Sequence, residues 1–338
     1  MKDTIILAIE TSCDETAVAI IKNGKEVLAN VVSTQIPTHQ KFGGVVPEVA
    51  SRKHLEMMNI VVSEALNKAN LNFDDLTHIA VTYGPGLVGA LLVGVSCAKA
   101  LAFASDKPLI GVNHIEGHVY ANFLVHKEIN LPVICLIVSG GHTNIVKIVE
   151  HGKYEFIGQT RDDAAGEAFD KVARSLGLAY PGGPEIQKRA ELGCKDAIDF
   201  PRSWLEAGSY DFSFSGLKSA VLNYLNQCKM KDIEINTENV AASFQSAVIE
   251  VLITKTINAA LESEIDTILL AGGVSANSAL REEMTLKAKE KGIKVLYPQI
   301  EFCTDNAAMI GAAAHYKAIR KEYADLDLNA NPNLKFGV

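Results

Sequence analysis

Apolar residues in this chain fall into short unbroken runs separated by longer stretches with helical spacing, the pattern of buried strands alternating with helices. Residues 5–9 read as a buried strand, 10–16 as a polar turn and 17–21 as a second strand. Asn23-Gly24 marks a hairpin, and 27–32 continues the sheet. A polar loop with His39, Lys41, Gly43 and Gly44 follows, then a helix over about 47–69, opened by Pro47 and carrying Ser51-Arg52-Lys53-His54. A strand at 77–82 ends in Tyr83-Gly84-Pro85-Gly86 and leads to a small-residue helix at about 88–104. The strand at 108–113 runs into a helix that starts after Asn113.

The order then recurs. Strands are expected at 133–138, 145–149 and 154–159. A late strand at 265–270 ends in Ala271-Gly272-Gly273 before a helix that opens at Ser275 or Ala276. Between them lie helices at about 164–176, from Pro184, and at about 237–261, and a last helix spans about 306–321. Internal duplication of this kind implies two similar α/β lobes facing one another across a cleft. The expected division is 1–112 for the N-terminal lobe, completed by a C-terminal helix at about 303–322. The C-terminal lobe takes 113–302, with a helical insertion at about 164–261, and 328–338 forms a loose polar tail.

Composition adds limits. The 338 residues carry a net charge of −8, which excludes whole-surface attraction to nucleic acid and leaves only local basic patches. Arg52-Lys53, Lys171 with Arg174, Lys188-Arg189 and Lys287 to Lys294 are such patches, each equally an ordinary solvated helix face. The six cysteines form no Cys-x-x-Cys pair and read as reduced thiols of a cytoplasmic protein. The N-terminus lacks a signal-peptide layout, and no uninterrupted apolar run is long enough to span a membrane.

The chemistry centres on Asn113-His114-Ile115-Glu116-Gly117-His118. On a helix, His114 and His118 share a face and can point at one metal ion; a third ligand, a carboxylate by type, must come from elsewhere. Zinc proteases with His-Glu-x-x-His place the glutamate directly after the first histidine. Glu116 stands two residues after His114, roughly 200° around the axis, and is badly placed as a base; the bland alternative is a solvated glutamate beside two packing histidines. Asp305, before a small-residue helix, is either that helix's N-cap or the missing ligand. Ser139-Gly140-Gly141 before His142, and Gly272-Gly273 before Asn277, offer bare backbone N–H groups suited to phosphate or to a flat base. Each is equally an ordinary turn or cap. Asp170 either bonds a substrate hydroxyl or pairs with Lys171 or Arg174. Glu10, Ser12 and Asp14 are candidates to line the cleft, and Asp14 or Glu15 is equally read as an exposed turn residue.

Taken in order, several motifs resemble one family. They are Glu10-Thr11-Ser12-Cys13-Asp14-Glu15-Thr16, Pro47-Glu48-Val49-Ala50-Ser51-Arg52-Lys53-His54, the His-x-Glu-Gly-His run, Val138-Ser139-Gly140-Gly141-His142-Thr143, Tyr180-Pro181-Gly182-Gly183-Pro184, Phe212-Ser213-Phe214-Ser215-Gly216-Leu217-Lys218 and Gly272-Gly273-Val274-Ser275-Ala276-Asn277. Together they resemble the TsaD family of tRNA N6-adenosine threonylcarbamoyltransferases, once labelled glycoproteases. The resemblance implies an actin-like, sugar-kinase-like two-lobed ATPase fold. It implies a divalent metal, Fe2+ ahead of Zn2+, on His114, His118 and Asp305. It also implies a threonylcarbamoyl-AMP donor against Ile137, Val138, Ser139, Gly140 and Gly141, with Asp170, Gly183, Gln187 and Asn277 in contact. At the Gln187 position the family usually has aspartate; an amide still hydrogen-bonds but is not an anion. The implied reaction forms t6A at the adenosine 3′ of the anticodon in tRNAs reading codons that begin with A. The implied partners are tRNA, a TsaB-like pseudo-homologue and a TsaE-like ATPase, with helices 47–69 and 88–104 as the docking surface and no membrane. A metalloprotease and a small-molecule kinase of the same fold are the rival readings.

Overall fold

The computed structural model describes residues 3–126 and 128–337; Met1, Lys2, Lys127 and Val338, the ends of the expected first lobe and tail among them, lie outside these. In chain order the strands are β1 Ile5–Glu10, β2 Glu15–Lys22, β3 Glu26–Thr34, β4 His78–Gly84, β5 Leu109–Asn113, β6 Val133–Val138, β7 Thr143–Glu150, β8 Lys153–Gln159, β9 Thr267–Ala271 and β10 Lys294–Leu296. The helices are α1 Ile36–His39, α2 Pro47–Ala69, α3 Val88–Ser105, α4 His114–Val125, α5 Ala165–Ser175, α6 Gly182–Ala190, α7 Ser215–Met230, α8 Thr237–Glu262, α9 Ser278–Lys289 and α10 Ala307–Arg320.

The chain forms two compact units. Unit 1 holds residues 1–129, 151–153 and 298–338, and unit 2 holds 130–150 and 154–297. The sheet of unit 1 has the order β3-β2-β1-β4-β5, and the other sheet has β10-β9-β6-β7-β8. Read from its other edge, the second order repeats the first: β1 and β6 each pair antiparallel with the following strand and parallel with a later one. The expected duplication is therefore present in the strand order. By the same correspondence α8 takes the place of α2, before the fourth strand of its sheet. Only α5 to α7 are then extra, a shorter insertion than the expected 164–261.

The expected lobe boundary at 112/113 also moves. α4 belongs to unit 1 because it packs on α10, which in turn lies on β1 and β2. α10 lies that close because it is built from small residues. A Cβ on Gly311 would come within 2.4 Å of Ile21 Cγ1, and one on Gly117 of α4 within 2.6 Å of Ile310 Cδ1.

In unit 1, β1 and β2 are buried almost throughout, and their apolar side chains pack with those of α2 and α3. In unit 2 the core gathers Ile134, Leu136, Phe169, Phe212, Phe244 and Leu252 under α5 to α9. Two helices, α3 and α8, reach the length and mean apolarity of a membrane span, more than the runs of apolar letters indicated. α8 is mostly buried as a core helix, and Lys99 interrupts α3, its ammonium donating to Leu328 O at 3.0 Å.

The tail is not loose. Asn331 N donates to Tyr83 O at 2.7 Å, Gly86 N to Pro332 O at 3.2 Å and Asn113 Nδ2 to Lys335 O at 3.1 Å, and Phe336 is only 6% exposed. Backbone groups of Tyr83 and Gly86 and the Asn113 amide take up the tail, a pairing that composition does not carry. We expect Phe336→Ala to lower the unfolding free energy by about 3 kcal/mol in a denaturant titration, the cost of emptying a buried aromatic site. A change within error would return the tail to the solvent.

Candidate metal centre and glycine turns

Asn113 ends β5 in extended geometry, and its Oδ1 accepts from Ile115 N at 2.9 Å and Glu116 N at 3.4 Å. This cap starts α4 at His114, so His114 and His118 lie one turn apart with ring centroids separated by 4.7 Å. At the start of α10 the cap is Asn306, whose Oδ1 accepts from Met309 N at 3.0 Å. The N-cap alternative for Asp305 is thereby corrected: Asn306 is the cap, and the Asp305 carboxylate faces the histidines. Its Oδ1 lies 3.2 Å from His118 Nε2 and 3.5 Å from His114 Nε2. Ligand atoms of the three residues all lie within 4.8 Å of one another, and the set could hold a metal ion.

His118 is 1% exposed and neither ring nitrogen has a hydrogen-bond partner among the described residues, the short Asp305 distance lacking hydrogen-bond geometry. An orphaned buried polar group costs about 1–3 kcal/mol. A cation between the rings and the carboxylate would remove that cost, and two imidazoles with one carboxylate suit iron(II) or zinc. The residues therefore fit a divalent transition metal.

Glu10, at the end of β1, is fully buried. Its Oε1 accepts from Ser12 N, and its Oε2 accepts from Thr82 Oγ1 and lies 3.1 Å from His114 Nδ1. Ser12 Oγ is also 3.1 Å from that nitrogen. Burial alone would raise the carboxyl, but the His114 imidazole outweighs it and holds Glu10 below its ordinary value. Burial would likewise lower His114, and the Glu10 and Asp305 carboxylates instead hold it up at about 9. A carboxylate on Nδ1 fixes the ring and turns Nε2 toward Asp305. Thr82 escaped the sequence reading because no local signal marks it. Only the parallel pairing of β1 with β4, Ile9 opposite Val81, brings it beside Glu10.

Asp14 is buried, not an exposed turn residue, and burial followed by the Asp305 charge raises it. Glu15 is pushed up to about 8, by burial first. Glu116 is not solvated either: it is buried and lies 3.7 Å from Lys317 Nζ of α10. A protease base at Glu116 is thus disfavoured by its partner as well as by its helical position.

Unit 2 gathers the remaining candidates. Ile137 and Val138 are fully buried at the end of β6. The following turn closes through Ser139 N to His142 O at 2.9 Å and His142 N to Ser139 Oγ at 3.2 Å. Gly272 has φ +87 and sits against Val138 O, where a Cβ would come within 2.4 Å. Asp170 Oδ1 accepts from Gly182 N at 2.7 Å and so pins the Tyr180–Pro184 loop, while Lys171 pairs with Asp163 and Glu167. Gln187 Oε1 accepts from Ser278 N at 3.3 Å. Asn277 caps α9, its Oδ1 accepting from Leu280 N at 3.0 Å, and its Nδ2 donates to Gln245 Oε1 at 2.7 Å. The helix following the Gly272-Gly273 turn therefore begins at Ser278, later than expected, after a short 3-10 turn at Gly273–Ala276. A cavity of about 270 Å³ beside it is lined by Gln187, Gln245, Ser278, Ala279, Glu282 and Glu283.

Gly140, Gly141, Gly183 and Gly273 share one property. None has the left-handed backbone that demands glycine, and a Cβ on each would meet open space. The protein's own packing gives no reason for glycine there, whereas a ligand lying against bare backbone would.

A family model described as TsaD, tRNA N6-adenosine threonylcarbamoyltransferase, matches residues 26–312. A tRNA N6-adenosine threonylcarbamoyltransferase of Clostridioides difficile (strain 630) is 62% identical over 335 residues, covering 99% of each chain. One from Clostridium botulinum (strain 657 / Type Ba4) is 60% identical over 338 residues, covering 100% of this chain and 99% of the relative. Among solved structures, T. kodakarensis HypF aligns with a TM-score of 0.64 at 15% identity, over 97% of this chain and 50% of that one, a likeness of fold alone. With the duplicated strand order, it places the chain among actin-like and sugar-kinase-like α/β folds. Full-length identity of this order, with the histidine pair and glycine turns in place, makes the chain a member of the TsaD family of tRNA N6-adenosine threonylcarbamoyltransferases.

Proposed function

We propose that this protein transfers the threonylcarbamoyl group of threonylcarbamoyl-AMP to the N6 amine of the adenosine 3′ of the anticodon in tRNAs that read codons beginning with A, forming t6A. The observation that carries this is the 62% identity with the C. difficile relative over 99% of both chains. In the reaction the amine nitrogen forms a bond to the carbamoyl carbon, the bond from that carbon to the phosphate oxygen breaks, AMP takes the electron pair, and the amine loses a proton. The acceptor lies in a loop whose bases are free to unstack.

His114, His118 and Asp305 are assigned to one Fe2+ or Zn2+ per subunit, which would act as a Lewis acid on the donor. Glu10, buttressed by Thr82 and Ser12, holds the His114 ring in register for that role. Ile137 to Gly141, Gly183 and Gly273 are assigned to the adenylate, which bare backbone admits. Asp170 acts by fixing the loop that carries Gly183, and Asn277 by fixing the start of α9, its side-chain oxygen and nitrogen being already engaged. Gln187 contributes an amide where the family usually has a carboxylate. Glu10 is assigned to the metal centre through His114. Asp14, His142 and Gly272 shape the turns around the two sites.

Partner docking is assigned to α2 and α3. Between them lies a cavity of about 570 Å³ lined by Leu55, Met58, Leu92, Val93, Cys97 and Leu101, with Leu55 66% exposed. An apolar opening of this kind fits a TsaB-like subunit, with a TsaE-like ATPase as a further component and tRNA as acceptor. The six free thiols accord with a cytoplasmic location.

The direct test mixes protein, threonylcarbamoyl-AMP, unmodified tRNA and partner subunits, and follows modified adenosine by mass spectrometry. Wild type should yield t6A with AMP release, and Asp305→Ala should fall to background; phosphate release without t6A would contradict the reading. Glu10→Gln should weaken metal binding about ten- to hundred-fold in a chelator competition while thermal unfolding stays cooperative. Equal affinity would remove Glu10 from the metal centre. Gly183→Ala should leave stability unchanged or raise it by up to about 1 kcal/mol, since the residue lies in a helix, yet abolish donor binding measured by calorimetry. Full donor binding in that variant would empty the proposed adenylate site.

A further inference from the structure

The loop after α1 presents an aromatic ring and a cation that the activity derived so far does not use. Gln40–Phe42 forms a single 3-10 turn, closed by Gly43 at φ +66, with Gly44 N donating to His39 O at 3.2 Å. Phe42 is 59% exposed and its ring touches no other ring among the described residues. Lys41 beside it is exposed and has no carboxylate partner among the described residues. The cations on neighbouring α2 differ: Arg52 pairs with Glu48 and Lys53 with Glu56.

The base of this loop is tied to the turn that faces the metal ligands. His39 is fully buried, with Nε2 3.2 Å from Gln35 Oε1 and Nδ1 accepting from Val46 N at 3.3 Å. Gln35 N donates to Asp14 O at 3.0 Å. His54 Nε2 donates to Cys13 O at 3.0 Å, and its Nδ1 lies 2.7 Å from Thr16 Oγ1. The charge of Asp305 bears on Asp14. The exposed ring therefore stands on a braced support beside the candidate metal centre, not on a free coil.

An RNA approaching the face around Asp305 meets a carboxylate, on a protein whose net charge is already −8. Phosphates are repelled there, and a neutral base face is not. Single-stranded loops are held by aromatic stacking with flanking cations on the backbone. We propose that Phe42 is a stacking platform for one unpaired base of the tRNA anticodon loop and that Lys41 contacts an adjoining phosphate. This deepens the assigned transferase activity and rests on it.

The test uses the full-length protein with its partner subunits, measuring tRNA affinity by filter binding and steady-state t6A formation. Phe42→Ala should raise both Kd and KM for tRNA about ten-fold or more, with kcat at saturating tRNA, metal content and donor affinity unchanged. Phe42→Trp should retain wild-type binding and Phe42→Leu should not, because a base needs a π face. Lys41→Ala should weaken binding and lower the slope of log affinity against log salt by about one. Wild-type binding by Phe42→Ala, or equal rescue by Leu and Trp, overturns the platform. Those results with an active wild type leave the transferase assignment intact. A wild type that makes no t6A sinks both.

Discussion

The packing of α10 against α4 is the contact on which the rest depends. It needs small residues on α10, because a Cβ at Gly311 would come within 2.4 Å of Ile21 Cγ1 and 3.0 Å of Ile21 Cβ. With the two helices that close, the residue before the α10 cap arrives beside two imidazoles that start 191 positions earlier in the chain, from His114 to Asp305. The result is a buried polar cluster whose His118 ring has no hydrogen-bond partner among the described residues. A fold does not keep such a group at no cost. A bound cation is the economical explanation, and the ligand types set its class.

The supporting layer follows the same logic. Glu10 is a fully buried carboxylate, tolerable only because Ser12 N, Thr82 and His114 meet it. Its position at the end of β1 is fixed by parallel pairing with β4, so the sheet itself aims the carboxylate at His114. In the other unit, a strand end and two glycine turns present backbone instead of side chains, and polar side chains such as Asp170 and Asn277 are spent on holding those turns still. One unit thus offers charge and metal ligands, and the other offers shaped backbone.

Much of this was legible in the sequence. Strand runs, the Asn23-Gly24 hairpin, Pro47 at a helix start and the repeated element order carried the duplicated fold, because burial and turn chemistry act locally. The histidine pair was legible because helical spacing is. The choice between cap and ligand at Asp305 was not, since Asp and Asn both cap, and only the structure shows Asn306 taking that role. The lobe boundary was misplaced because helix–helix packing across nearly two hundred residues leaves no local mark. The tail read as loose because its anchors, the backbone of Tyr83 and Gly86 and the Asn113 amide, are brought to it by the fold, which composition cannot register. Thr82 and the His39–Gln35–His54 network stayed hidden for the same reason: strand register and loop packing decide them.

The central claim is that the α4–α10 contact builds a three-ligand metal centre. X-ray absorption at the metal edge of protein loaded with one equivalent of Fe2+ or Zn2+ tests it most directly. The account predicts two imidazole nitrogens and carboxylate oxygen in the coordination shell, with one imidazole lost in His118→Ala. A spectrum without imidazole scattering, or one unchanged by that substitution, would contradict it.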